Sequence, residues 1–128
     1  MNKQKITMEF QLKAGSSNAI WTLISTPTGL STWFANHVDC HDKKYSFSWN
    51  KDYVREAVLT HSKTNSYVRF RWTDEADKRS YFEFRMVYNE LTRDFTLLIT
   101  DWATADEAED IQDLWVSDVE KLRRVGGL

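Results

Sequence analysis

Apolar residues change their spacing three times along this chain, and each change marks a new kind of element. Ile6, Met8, Phe10 and Leu12 alternate with Thr7, Glu9, Gln11 and Lys13, which is the period of a strand with one buried face. Gly15, Ser16, Ser17 and Asn18 interrupt that period and offer a cap to a short helix carrying Ile20, Trp21, Leu23 and Ile24. Thr26 and Pro27 start a second short helix, with Pro27 at the first helical position and Leu30, Trp33 and Phe34 along one side. From Val38 the period of two returns. Tyr45, Phe47 and Trp49 alternate with Ser46 and Ser48 as far as a turn at Asn50, Lys51 and Asp52. The next strand, Tyr53 to Leu59, can point Val54, Glu56 and Val58 inward, or Tyr53, Arg55, Ala57 and Leu59, and the pattern does not choose. Tyr67 to Trp72 sets Val68, Phe70 and Trp72 opposite Arg69 and Arg71. After the polar loop Thr73 to Ser80, Phe82, Phe84, Met86 and Tyr88 alternate with Glu83 and Arg85. A turn at Leu91 to Asp94 leads into Phe95 to Trp102, apolar on both sides at Leu97, Leu98 and Ile99, as in a strand that is covered or curls.

The third change produces the longest element. Thr104 and Glu107 stand at capping-box spacing, and Ile111, Leu114, Trp115, Asp118, Val119, Leu122 and Val125 then follow steps of three and four. Acids crowd the first turns, Lys121, Arg123 and Arg124 fill the last, and Gly126 supplies a stop, so both ends suit the helix dipole. From Ala105 to Arg124 such a helix runs about 30 Å at 1.5 Å per residue, and its apolar stripe needs a platform of similar length. The short connections between the strands favour hairpins. The prediction is an α+β domain over residues 1–128: a curved antiparallel six-stranded sheet wrapped around a long C-terminal helix, with two short helices after the first strand.

Composition narrows the partners. Seventeen Lys and Arg against nineteen Asp and Glu give a net charge of −2, with no chain-wide attraction to phosphate, so nucleic acid is not an expected partner. No apolar run approaches the length of a membrane span, which argues against membrane insertion. Cys40 is the only cysteine, and Met1 to Lys5 leads into an alternating segment instead of an apolar signal region; together these point to a reducing, cytoplasmic setting. Six Trp, seven Phe and five Tyr are many for 128 residues; such rings either fill a core or line a cavity that a small domain does not close.

In order and in particular residues the chain resembles the START-like, or SRPBCC, helix-grip superfamily, and within it the branch related to activators of the heat-shock chaperone ATPase. The resemblance is carried by Ile20-Trp21 and Leu23, Pro27 with Leu30 and Trp33-Phe34, and the Val54 to Leu59 strand preceding Val68-Arg69-Phe70-Arg71-Trp72. Leu114-Trp115 with Leu122 in the terminal helix completes it. It covers essentially the whole chain. It implies a cavity between sheet and helix that holds apolar or amphipathic molecules, and no universal catalytic motif. The Thr100-Asp101-Trp102-Ala103 lead into the last helix resembles compact bacterial members.

The candidate ligand wall is the aromatic inner face, namely Phe47, Trp49, Phe70, Trp72, Phe84, Met86 and Trp115, joined by Trp33 and by Trp102 at the head of the helix. The competing reading is that the same rings close a solid core. Trp33 and Phe34 would either form a lid or pack on the sheet end. Asp101 would serve as a pocket carboxylate, help cap the helix or pair with a base, the latter two being favoured. Glu56 is expected to face outward and pair with Arg55, Arg69 or Arg71. His37, Asp39, Cys40, His41 and Asp42 form the only cluster with metal-ligand chemistry; an extended backbone would point His37, Asp39 and His41 the same way, yet HExxH and paired CxxC are missing and solvated polar residues are the expectation. No catalytic residue, metal or cofactor is predicted. A protein partner or a second copy of the chain is the alternative to a small apolar ligand.

Overall fold

A computed structural model describes residues 2–13 and 16–128. Its elements run β1 (Gln4–Leu12), α1 (Ser17–Ser25), α2 (Pro27–Trp33), β2 (His37–His41), β3 (Lys44–Asn50), β4 (Tyr53–Lys63), β5 (Tyr67–Trp72), β6 (Phe82–Asn89), β7 (Asp94–Ala103) and α3 (Ala108–Gly126). The strands form one curved antiparallel sheet in the order β1-β7-β6-β5-β4-β3-β2. All neighbours after β1 are hairpin partners, and β1 returns to pair with β7 from Gln4 opposite Ala103 to Leu12 opposite Phe95.

The sheet has seven strands, not the six expected from the pattern. The additional one is β2, an edge strand whose only inward residues are Val38 and Cys40. Five residues with polar outward positions are a usual dress for a strand that must not recruit another chain, and with only Val38 and Cys40 facing inward the run is too short to stand out as a strand. Asp42, in the left-handed region at φ 55°, turns β2 into β3 through a two-residue loop with Lys43.

Local chemistry accounts for the helices. Ser16 Oγ accepts from the Ala19 N–H at 3.3 Å to cap α1, and Thr26 Oγ1 accepts from the Gly29 N–H at 2.9 Å to cap α2, with Pro27 at its start. Gly15, part of the expected break, lies outside the described residues. Gly29 allows α2 to touch α1: a Cβ there would stand 2.0 Å from Thr22 O and 2.7 Å from Leu23 Cα. Thr104 Oγ1 donates to Glu107 Oε1 at 2.7 Å, but this box closes a turn before the helix, which begins at Ala108. At the other end Gly126 is the last helical residue, and Gly127, at φ 66°, makes the left-handed stop.

Trp115, Val119 and Leu122 of α3 are buried, each contributing about 1.5–3 kcal/mol by leaving water. They share one core with Leu12 of β1, Ile20 and Ile24 of α1, Leu30 and Trp33 of α2, and Phe47, Phe70, Phe84, Leu97 and Ile99 of the sheet. The undecided strand β4 turns Arg55, Ala57 and Leu59 inward and leaves Val54 half exposed. Ala57 lies opposite Tyr45 on one side and Trp72 on the other. Its small side chain leaves room between large rings, a need that alternation does not record.

Candidate functional site: an aromatic cavity beneath the C-terminal helix

The sheet and α3 do not close on each other along their whole length. Toward the head of α3 they leave a half-open cavity of about 570 Å³. Its lining comes from β3, β4, β5, β7, α3 and the segments beside the elements: Lys3 before β1, Phe34 after α2, Trp49 of β3, Tyr53 and Arg55 of β4, Trp72 of β5, Glu75 and Ser80 of the following loop, Asp101 and Trp102 of β7, Glu107, and Ile111, Leu114, Trp115 and Asp118 of α3.

The rings hold one another in place. Phe34 stacks on Trp115 with centroids 5.4 Å apart and planes 4° from parallel, and meets Trp49 edge-on at 5.6 Å. Trp49 lies 6.1 Å from Trp72 and 5.4 Å from Tyr53, and its Nε1 donates to Phe34 O at 2.8 Å. Such contacts add about 0.5–1.5 kcal/mol per pair beyond burial and keep the wall from collapsing into the empty volume.

The charged groups divide into matched and unmatched. Lys3 is bonded to Glu75, and Arg55 forks onto Asp74 at 3.1 and 2.7 Å while its guanidinium lies 4.0 Å over the Trp72 ring. Burial raises the Glu75 carboxyl, but the Lys3 hydrogen bond and the Asp77 N–H outweigh it and leave it below its ordinary value. Asp101 accepts from Trp115 Nε1 at 2.9 Å and from the Trp102 N–H at 2.8 Å. Burial raises its pKa despite those two bonds. Asp101 therefore neither caps α3 nor forms an ion pair among the described residues. Asp118, half-buried on α3, is pushed up to about 6 by burial, which outweighs the opposing pull of Lys121.

Of the predicted wall, Trp49, Trp72, Trp102 and Trp115 border this cavity. Trp102 does so at its edge: Asp101 and Trp102 leave β7 on opposite faces, and the Trp102 ring packs against Tyr81 at 5.9 Å and under Arg79 at 5.3 Å. Its Nε1 is buried without a hydrogen-bond partner among the described residues. Phe47, Phe70 and Phe84 are instead sealed in the core. Trp33 is sealed there too, its Nε1 donating to Leu23 O at 2.8 Å and its ring 5.2 Å from Phe84, so it packs on the sheet and forms no lid. Met86 borders a second, more open cavity of about 580 Å³ with Ser16, Ser17, Asn65, Tyr88, Arg93 and Phe95. Cavity-lining residues that the pattern did not single out as ligand contacts are Lys3, Tyr53, Arg55, Glu75, Ser80, Glu107, Ile111, Leu114 and Asp118. Of these, Ile111 and Leu114 carried a signal as members of the apolar stripe of α3, and Asp118 as an acid set among them.

The other chemical candidates separate. The outer-face arginines are spoken for: Arg69 and Arg85 both bond Glu83, which is buried, and lie over the rings of Tyr81 and Tyr67 at 4.0 and 4.1 Å. Glu56 faces outward and is exposed, and no salt bridge to Arg55, Arg69 or Arg71 is present among the described residues. His37, Asp39 and His41 do share the outer face of β2, with His37 Nε2 3.1 Å from Asp39 Oδ2. Among the described residues no three His, Cys, Asp or Glu side chains converge as a metal site. No described helix is long and apolar enough to cross a membrane.

A long helix gripped by a curved antiparallel sheet, with an aromatic cavity between them, defines the helix-grip class of α+β proteins. The chain belongs to the START-like superfamily, whose domain model matches residues 1–128 and whose members commonly bind hydrophobic ligands. A Bacteroides fragilis protein solved in solution by NMR is 49% identical, with 98% of this chain and 92% of that one covered and a TM-score of 0.69. The Aha1 dimer from Colwellia psychrerythraea shares the fold at 16% identity, covering 93% and 92% with a TM-score of 0.77. A Bacillus halodurans protein does so at 18%, covering 98% and 99% with a TM-score of 0.74. No curated protein matches the chain.

Proposed function

We propose that this protein binds a small apolar or amphipathic molecule in the cavity between α3 and the sheet, and holds it without transforming it. The observation that carries this reading is the wall itself: Phe34, Trp49, Trp72 and Trp115 brace one another around about 570 Å³, within the range of sites that bury a small ligand. Asp101, the acid best placed for chemistry, has both oxygens engaged by Trp115 and the Trp102 N–H, which supports a positioning role. A cytoplasmic setting, supported by the lone Cys40, completes the proposal.

The test is titration with the neutral fluorescent probe N-phenyl-1-naphthylamine. One saturable site is expected. Leu114 is 65% exposed at the rim, so Leu114→Glu should fold normally and weaken the probe by roughly tenfold through the polar group placed at the opening. No saturable signal, or a signal indifferent to that change, would refute the assignment.

A second reading is favoured by a different observation. Leu114, Val116 and Val125 are 65%, 44% and 49% exposed on α3, more apolar surface than a solvated helix face needs. It makes the protein an interaction module or a homodimer, and a sedimentation mass that stays that of one 15.1 kDa chain with no partner bound would count against it.

A further inference from the structure

Resting on the proposed binding cavity, we infer that its ligand is an organic cation, an ammonium group carried on an apolar or aromatic body. Two independent features of the cavity lead there. The first is its charge. Both bases that reach the lining are already matched, Lys3 by Glu75 and Arg55 by Asp74, whereas Asp101 and Asp118 have no basic partner among the described salt bridges. A neutral ligand would desolvate those carboxylates further and bring no countercharge, and an anionic one would add like charge; a cation relieves both. The second is the ring surface. The Arg55 guanidinium lying 4.0 Å over Trp72 shows that this wall hosts a cation against a π face, and the neighbouring Trp49, Tyr53 and Trp115 extend the same kind of surface through the cavity. The ammonium group is accordingly placed toward Asp118 and Asp101, and the apolar body over the rings.

The inference carries a pH dependence. Burial pushes the Asp118 carboxyl up to about 6, so the cavity gives up part of its negative charge as the pH falls through that value. The charged groups around the same cavity are Lys3 before β1, Arg55 on β4, Glu75 in the β5–β6 loop, Asp101 on β7 and Glu107 before α3, with Lys121 on the helix of Asp118 itself.

Three probes of one shape test this: 4-phenylbutylamine, 4-phenylbutanol and 4-phenylbutyrate, titrated calorimetrically against the intact protein. At pH 7.5 the protonated amine should bind about 3- to 30-fold tighter than the alcohol, the span of a cation against aromatic faces, and the carboxylate should bind weakest. The amine-to-alcohol ratio should fall severalfold in Asp118→Asn, and in the unaltered protein between pH 7.5 and pH 5.5. Taking the ratio within each protein cancels any general loss of affinity. Equal binding of all three probes, or the carboxylate tightest, overturns the cation inference and leaves the binding cavity standing. A preference for the amine that survives both Asp118→Asn and acidification overturns the placement of the charge. Saturable binding by none of them overturns the cavity reading and this inference together.

Discussion

Asp118 is an acid set into the apolar stripe of a helix, and the fold should be more stable without its charge. Burial lifts its carboxyl from 3.8 to about 6, so between those values the folded chain holds a proton that the unfolded chain has released. By linkage, stability falls as the pH rises across that window, and the cost is complete at pH 7. A gap of about 2 pH units corresponds to roughly 3 kcal/mol at 1.36 kcal/mol each. The side chain is only half-buried, so screening by solvent reduces the expected net cost to about 1–2 kcal/mol. Asp118→Asn keeps the shape and removes the ionisation. Urea denaturation should therefore find the variant about 1–2 kcal/mol more stable at pH 7, with the advantage shrinking below pH 6 and gone only well below the unfolded value of 3.8, where the aspartate is protonated in both states. A variant no more stable at pH 7, or an advantage that does not change with pH, would refute the reasoning. A confirmed gain would show a charge kept at a cost in stability, as expected of a group retained for binding.

Two further changes probe what supports the cavity. Gly29→Ala would add about 1 kcal/mol to an ordinary exposed helix, but here the new methyl meets backbone at 2.0 Å from Thr22 O, so thermal unfolding should show a loss of about 1–3 kcal/mol, and any gain would contradict the close approach of α1 and α2. Trp115→Phe removes the donor to Asp101 and part of the stack on Phe34; denaturation should register a loss of about 2–3 kcal/mol, and an NMR titration should show the Asp101 carboxyl rising further, whereas a loss under about 0.5 kcal/mol would mean that the bond at 2.9 Å is not maintained in solution.

Periodicity was enough to lay out most of this molecule. Alternation over Ile6 to Leu12, Tyr45 to Trp49, Tyr67 to Trp72 and Phe82 to Met86 placed four strands and their inward faces, because a side chain's face is set by parity wherever one side of a sheet is dry. Ser16, Thr26 and Pro27 marked their helix starts because capping is a contact within a few residues. Where a decision depended on a distant neighbour, the pattern was silent or led elsewhere. β2 exists because β3 pairs with it, β4 faces inward through Ala57, which is buried between Tyr45 and Trp72 on the neighbouring strands, and Gly127 rather than Gly126 stops α3.

The same division runs through the site. An abundance of rings facing a helix was visible in the order of residues, and it pointed to an aromatic interior. Which rings seal and which line a cavity was decided only by tertiary packing: Phe47, Phe70 and Phe84 lie where sheet and helices touch, while Trp49, Trp72 and Trp115 lie where α3 stands away from the strands. Charge followed suit, since the pairing of Lys3 with Glu75 and of Arg55 with Asp74 joins residues far apart in the chain and leaves Asp101 and Asp118 without a salt bridge among the described residues. Local sequence determines what is short-range, namely period, caps and turns; burial and charge balance are sums over neighbours that only the folded chain brings together.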